Sequence, residues 1–107
     1  MQNIGEVVLG ENTRSDEGVL LGYLSPRKGI SRVLTIGSDS SIRSGTVIYA
    51  GSTIGDHLET GHNVVIREEN EIGDHFNIWN NSVIDYGCTI GMNVKIHCNC
   101  YIAQFTT

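Results

Sequence analysis

The chain has no apolar run approaching the ~18 residues that a membrane-spanning helix needs, so no membrane segment is expected. Its opening residues, Met1-Gln2-Asn3-Ile4-Gly5, lack the basic-then-apolar layout of a secretory signal, and a cytoplasmic location is the expectation. Basic residues are scarce: seven Lys and Arg stand against twelve Asp and Glu, a formal net charge of −5. Neutralising phosphates takes a basic face, so nucleic acid is not expected as the main partner. Cysteine is confined to Cys88, Cys98 and Cys100, an odd set in the last fifth of the chain that reads as free thiols, not a disulfide framework. Proline occurs once, and 107 residues leave room for one small domain.

Isoleucine and glycine are plentiful, thirteen of each, a composition that favours strand over helix. The isoleucines are periodic. Counting in sixes from Ile36 reaches Ile42, Ile48, Ile54, Thr60, Ile66, Ile72, Ile78, Ile84, Ile90, Ile96 and Ile102, so eleven of twelve positions are isoleucine. A period of six fits neither the 3.6 of a helix nor the unbroken alternation of a long strand; it fits short strands joined by sharp turns.

The other positions of the hexad describe each turn. The third residue after the isoleucine is Gly, Asn or Asp in eight of twelve repeats, the residues that best tolerate a left-handed backbone, so the bend is placed there. Glu69 and Phe105 are the misfits. The fourth residue is mostly small or apolar and should share the interior with the isoleucines, with Asn70 the awkward member.

Repeats such as Ile36-Gly37-Ser38-Asp39-Ser40-Ser41 and Ile90-Gly91-Met92-Asn93-Val94-Lys95 resemble the hexapeptide repeats of left-handed β-helix acyltransferases, and the likeness runs from Ile36 to Thr107. The resemblance implies an all-β, left-handed parallel β-helix in which three hexads make one triangular coil of 18 residues. Residues 36–107 then form four regular coils. Residues 1–35 read as an irregular, incomplete N-terminal coil, with Ser25-Pro26-Arg27-Lys28-Gly29 a protruding loop. Acyltransferases of this family continue with further coils, so the chain reads as C-terminally short: either truncated, which would put activity in doubt, or covered at that end by a second trimer or a partner chain.

Residues flanking each isoleucine should face outward in three columns. One is rich in glycine (Gly37, Gly55, Gly73, Gly91), either admitting a slender ligand arm or simply suiting the turn. A second is polar apart from Trp79, which either lies under a neighbouring subunit or stacks on a ligand ring. The third carries an apolar stripe, Val47, Val65, Val83 and Tyr101, expected to be a subunit contact; the resemblance makes a homotrimer the natural assembly, with stacking into a hexamer a further option.

The stretch from Ser44 to Asn70 is similar to CoA-dependent acetyltransferases acting on amino groups of nucleotide-linked sugars. The resemblance implies acetyl-CoA as donor and a small-molecule acceptor bearing an amino or hydroxyl group. Such transfer needs a base and an oxyanion donor. His62 is the candidate base, Arg67 a phosphate ligand for cofactor or substrate, Tyr49 an acceptor-orienting group, and Trp79 a cofactor contact. Arg43 and Arg67 have an alternative use in pairing with Glu59 and Glu69, and His57 and His75, at bend positions one coil apart, are expected to be structural.

Two other readings stay open. One is a non-catalytic β-helix that binds or assembles. The other is a zinc site of the γ-class carbonic anhydrase kind, which Gly61-His62-Asn63-Val64-Val65-Ile66-Arg67-Glu68 resembles; Arg67 replaces a histidine ligand there, and no metal is expected.

Overall fold

The computed structural model describes residues 4–107, so the expectation placed on Met1–Asn3 lies outside the described residues. Fifteen short strands wind as five coils. The first coil holds β1 (Glu6–Leu9), β2 (Arg14–Ser15) and β3 (Leu20–Tyr23). The second holds β4 (Val33–Ile36), β5 (Ser41–Ile42) and β6 (Val47–Tyr49), and the third β7 (Thr53–Ile54), β8 (Glu59–Thr60) and β9 (Val65–Ile66). The fourth holds β10 (Glu71–Ile72), β11 (Asn77–Ile78) and β12 (Val83–Ile84), and the fifth β13 (Thr89–Ile90), β14 (Lys95–Ile96) and β15 (Tyr101–Ile102). Every third strand pairs in parallel, giving three five-stranded sheets. The protein is a triangular parallel β-helix with no helix among the described residues.

The bends fall where the hexads put them. All twelve positions from Asp39 to Phe105 have positive φ, Glu69 (62°) and Phe105 (60°) included. Inside, Ile36, Ile42, Ile48, Ile54, Ile66, Ile72, Ile78 and Ile84 are buried in one core, contributed by all three sheets, and each such side chain stabilises the fold by about 1.5–3 kcal/mol. Ile90, Ile96 and Ile102, in the last of the described coils, are only partly buried. They line an apolar concavity of about 230 Å³ with Val94.

The polar interior residues are all hydrogen-bonded. Asn70, awkward in the sequence, donates through Nδ2 to the Arg67 carbonyl (2.9 Å) and accepts from the Cys88 N–H (2.8 Å). Thr60, the one break in the isoleucine series from Ile36 onward, accepts the Arg43 N–H at 3.0 Å on its hydroxyl.

The N-terminal coil differs from expectation. It is complete in strands, with Arg14 opposite Ser41 and Leu20 opposite Val47. Those partners lie 27 residues apart, against 18 in later coils such as Thr35 and Thr53. The excess is the segment 24–32, which leaves after β3 and folds back along the corner beside Gly51 and Glu68. The longer offset breaks the phase of the repeat, and the first-coil positions opposite Ile36, Ile42 and Ile48 are Leu9, Ser15 and Leu21, so the isoleucine series is not seen before Ile36.

The glycine column also finds its reason. Beyond the strands, backbone N–H groups at the corner between first and second sheets are capped from the next coil: Ser38 N–H donates to Asp56 Oδ1 and Asp56 N–H to Asp74 Oδ1, each 2.8 Å. A Cβ on Gly55 would meet the Asp74 carboxylate oxygen and lie 2.9 Å from its backbone nitrogen. Glycine at 37 and 55 therefore makes room for the protein's own caps; that space is filled.

Candidate active site

The third sheet (β3, β6, β9, β12, β15) presents Leu20, Val47, Val65, Val83 and Tyr101 in register on its outer side, so the apolar stripe is one rung longer than the sequence suggests. Leu20 and Tyr101 are exposed. The sequence-derived candidates divide between the two corners that flank this stripe.

His62 and Trp79 belong to the corner between second and third sheets. Asn63, the residue after His62, takes the left-handed conformation (φ 57°), which turns the chain sharply and leaves His62 on the outside. Its backbone N–H donates to Asn80 Oδ1 at 2.9 Å, and its ring Nδ1 lies 2.8 Å from the Ser44 hydroxyl one coil earlier. Among the described residues, Nε2 has no partner. Trp79 is half-buried, with the Arg43 guanidinium 5.8 Å from its ring centre.

Arg43 is held in place. Because Thr60 offers its hydroxyl to the Arg43 N–H, the Thr60 carbonyl is left to the Arg43 side chain, which donates to it at 2.8 Å and to Glu59 at 3.0 Å. The Glu59 pairing foreseen in the sequence is present.

Tyr49 and Arg67 meet at the other corner, between third and first sheets, with the Arg67 guanidinium 4.9 Å from the Tyr49 ring centre. Arg67 pairs with its neighbour Glu68 (Nε to Oε1, 3.0 Å), not with Glu69. The Glu68 side chain is fully buried. Its Oε2 also accepts from the Ser25 hydroxyl at 2.6 Å and from Arg27 at 3.1 Å, and Arg27 packs 3.9 Å from the Tyr86 ring centre. Burial pushes the Glu68 carboxyl up, but the bonds from Ser25, Arg67 and Arg27 outweigh it and hold the group below its ordinary range. Charge-assisted bonds of this kind are the strong ones, so Glu68 acts as a clamp on the segment 24–32. Sequence reasoning missed this clamp; its partners come from a loop 43 residues away.

His57 and His75 stack with ring centres 4.5 Å apart at the corner between first and second sheets, remote from both groups. Cys88 is buried and its thiol donates to the Ala103 carbonyl at 3.1 Å, while Cys98 is exposed; all three cysteines are free. No cluster of three metal-binding side chains occurs among the described residues.

A triangular parallel β-helix carrying an exposed histidine beside an apolar stripe is the architecture in hand. Within it, residues 71–104 match the family described as bacterial transferase hexapeptide (six repeats). No curated protein matches the chain. The matched segment covers the fourth coil and most of the fifth, and the period it represents extends back to Ile36 in the same register.

Proposed function

We propose that the protein is an acyltransferase of the hexapeptide-repeat type, wound left-handed, that moves an acetyl group from acetyl-CoA to an amino or hydroxyl group of a sugar or nucleotide-linked sugar. The observation that carries this reading is the His62 corner: an exposed imidazole with one ring nitrogen held by Ser44 and the other without a partner among the described residues, beside a half-buried tryptophan. The hexapeptide transferase match of the following coils supports the donor class.

In this reading His62 Nε2 takes the proton as the acceptor nitrogen or oxygen attacks the thioester carbonyl. The carbon–sulfur bond breaks and the CoA thiolate recovers the proton from the imidazolium. The apolar stripe forms the contact of a homotrimer, which removes Leu20, Val65 and Tyr101 from water. Since the two corners flank that stripe, a contact across it sets one protomer's His62 and Trp79 against its neighbour's Tyr49 and Arg67. Arg67, although paired with Glu68, is more than a quarter exposed and has donors left for a phosphate or acceptor.

The test is acetyl-CoA binding by calorimetry together with release of CoA thiol in the presence of a panel of nucleotide-linked amino sugars. Micromolar binding is expected. His62→Ala should bind acetyl-CoA as the wild type does and lose about 10²-fold or more of its turnover, the usual contribution of a general base. Absence of any CoA binding overturns the reading in favour of a non-catalytic assembly protein, which the ion-paired state of both Arg43 and Arg67 would then favour.

A further inference from the structure

The His62 ring is held at one point. Its Nδ1 lies 2.8 Å from the Ser44 hydroxyl oxygen, exactly one coil earlier at an offset of 18 residues. Ser44 Oγ has no other hydrogen bond among the described residues, and nor does His62 Nε2. The backbone beneath both residues is fixed: Asn63 N–H donates to the Ser44 carbonyl at 3.0 Å, and His62 N–H to Asn80. Two stacked corners thus present a hydroxyl and an imidazole in a set relation, with the second ring nitrogen directed away from the contact.

A hydroxyl both donates and accepts, so it accommodates either tautomer of a neutral imidazole, and only one of the two suits a base at Nε2. If Ser44 donates to Nδ1, the ring proton sits on Nε2 and no lone pair is available outward. If Nδ1–H donates to Ser44, the Nε2 lone pair is free, and the same bond persists in the imidazolium formed after proton abstraction. An aspartate at 44 would fix the tautomer by charge; a serine selects the Nε2 lone-pair form only where its hydroxyl acts as the acceptor.

We propose that Ser44 is a positioning residue for His62, accepting a hydrogen bond from Nδ1–H and so keeping Nε2 unprotonated and outward-facing. This rests on His62 being the base of acetyl transfer. Its reach is limited to that one interaction: Ser44 touches neither donor nor acceptor, and acts on the rate through the orientation and tautomer of the ring.

Imidazole ¹⁵N spectra of the full chain, recorded at a pH where His62 is neutral, test the tautomer without any substrate. The wild type should show the proton on Nδ1, Ser44→Ala should revert to the Nε2–H form that free imidazole prefers, and Ser44→Thr should restore the wild-type pattern. Kinetics with acetyl-CoA and the best acceptor of the panel should show Ser44→Ala losing about tenfold to a hundredfold in kcat with KM for acetyl-CoA unchanged, again rescued by threonine. An Nε2–H wild type, or identical spectra in wild type and Ser44→Ala, overturns the proposal. Full activity in His62→Ala overturns the transferase mechanism instead, and the spectra distinguish the two failures.

Discussion

The two corners beside the apolar stripe are built from the same hexad and serve opposite ends. At the corner of Tyr49 and Arg67, a buried glutamate gathers two arginines and a serine, and a nine-residue excess of chain is laid over it. At the corner of His62, the residue preceding the histidine is glycine, no loop among the described residues is laid over the turn, and the imidazole is exposed. Filling a corner with paired charge buries it and fixes a loop; leaving it bare keeps a titratable ring accessible. The first arrangement contributes to stability; the second leaves a ring exposed to solvent, where the proposed reaction needs one.

Substitutions can break this contrast at either corner. Glu68→Ala has the largest expected effect: removing a buried carboxylate leaves Arg27 and Arg67 facing each other, at a cost of about 3 kcal/mol. A fall in the urea midpoint, with segment 24–32 becoming protease-sensitive, would show it; an unchanged midpoint would reduce the clamp to a surface pair. Gly61→Ala comes next. Its Cβ would lie 2.7 Å from the Asn80 backbone nitrogen, and overpacking of this kind costs about 1–3 kcal/mol. Thermal unfolding should report that loss, together with displacement of the Asn80 bond to His62.

Acid should erase the difference between wild type and Glu68→Gln. The folded-state pKa of Glu68 is lowered, so its stabilisation is complete above the unfolded value near 4.5 and is lost as pH falls through the lower, folded value. Urea midpoints of the two proteins should therefore differ at pH 7 and draw together as the pH falls from the unfolded value toward and below the lowered folded one. The smallest effect is expected for Glu69→Asn. Asparagine relieves part of the left-handed strain at φ 62°, while the Arg27 contact at 3.3 Å is given up, leaving a net change within about 1 kcal/mol. A midpoint shift larger than that would mean that Glu69 shares in the clamp.

Much of the architecture was legible because a solenoid repeats its physics. Each bend needs a left-handed residue and each interior position a compact one, so Asp39, Asn63 and Ile66 announce themselves by spacing alone. Even Glu69 and Phe105, poor residues for a left-handed bend, follow the period, which shows that the coil overrides local preference. The site was less legible. His62 stood out as an exposed turn residue, yet its bond to Ser44 depends on stacking across coils, and pairing Arg67 with Glu68 instead of Glu69 depends on which carboxylate the corner buries. Ser25 and Arg27 carry no periodic signal at all, since they lie in the one stretch that leaves the period.

That stretch shows how the fold handles changes in length. Rungs after the first coil meet at a constant offset of eighteen, so an added or deleted block of eighteen residues changes the number of rungs and keeps every interior residue in phase. Any other increment has to be expelled at a corner, as segment 24–32 is. The fold is therefore tolerant of length in whole turns and intolerant of fractions of a turn, and a corner loop is the form in which a fraction can persist.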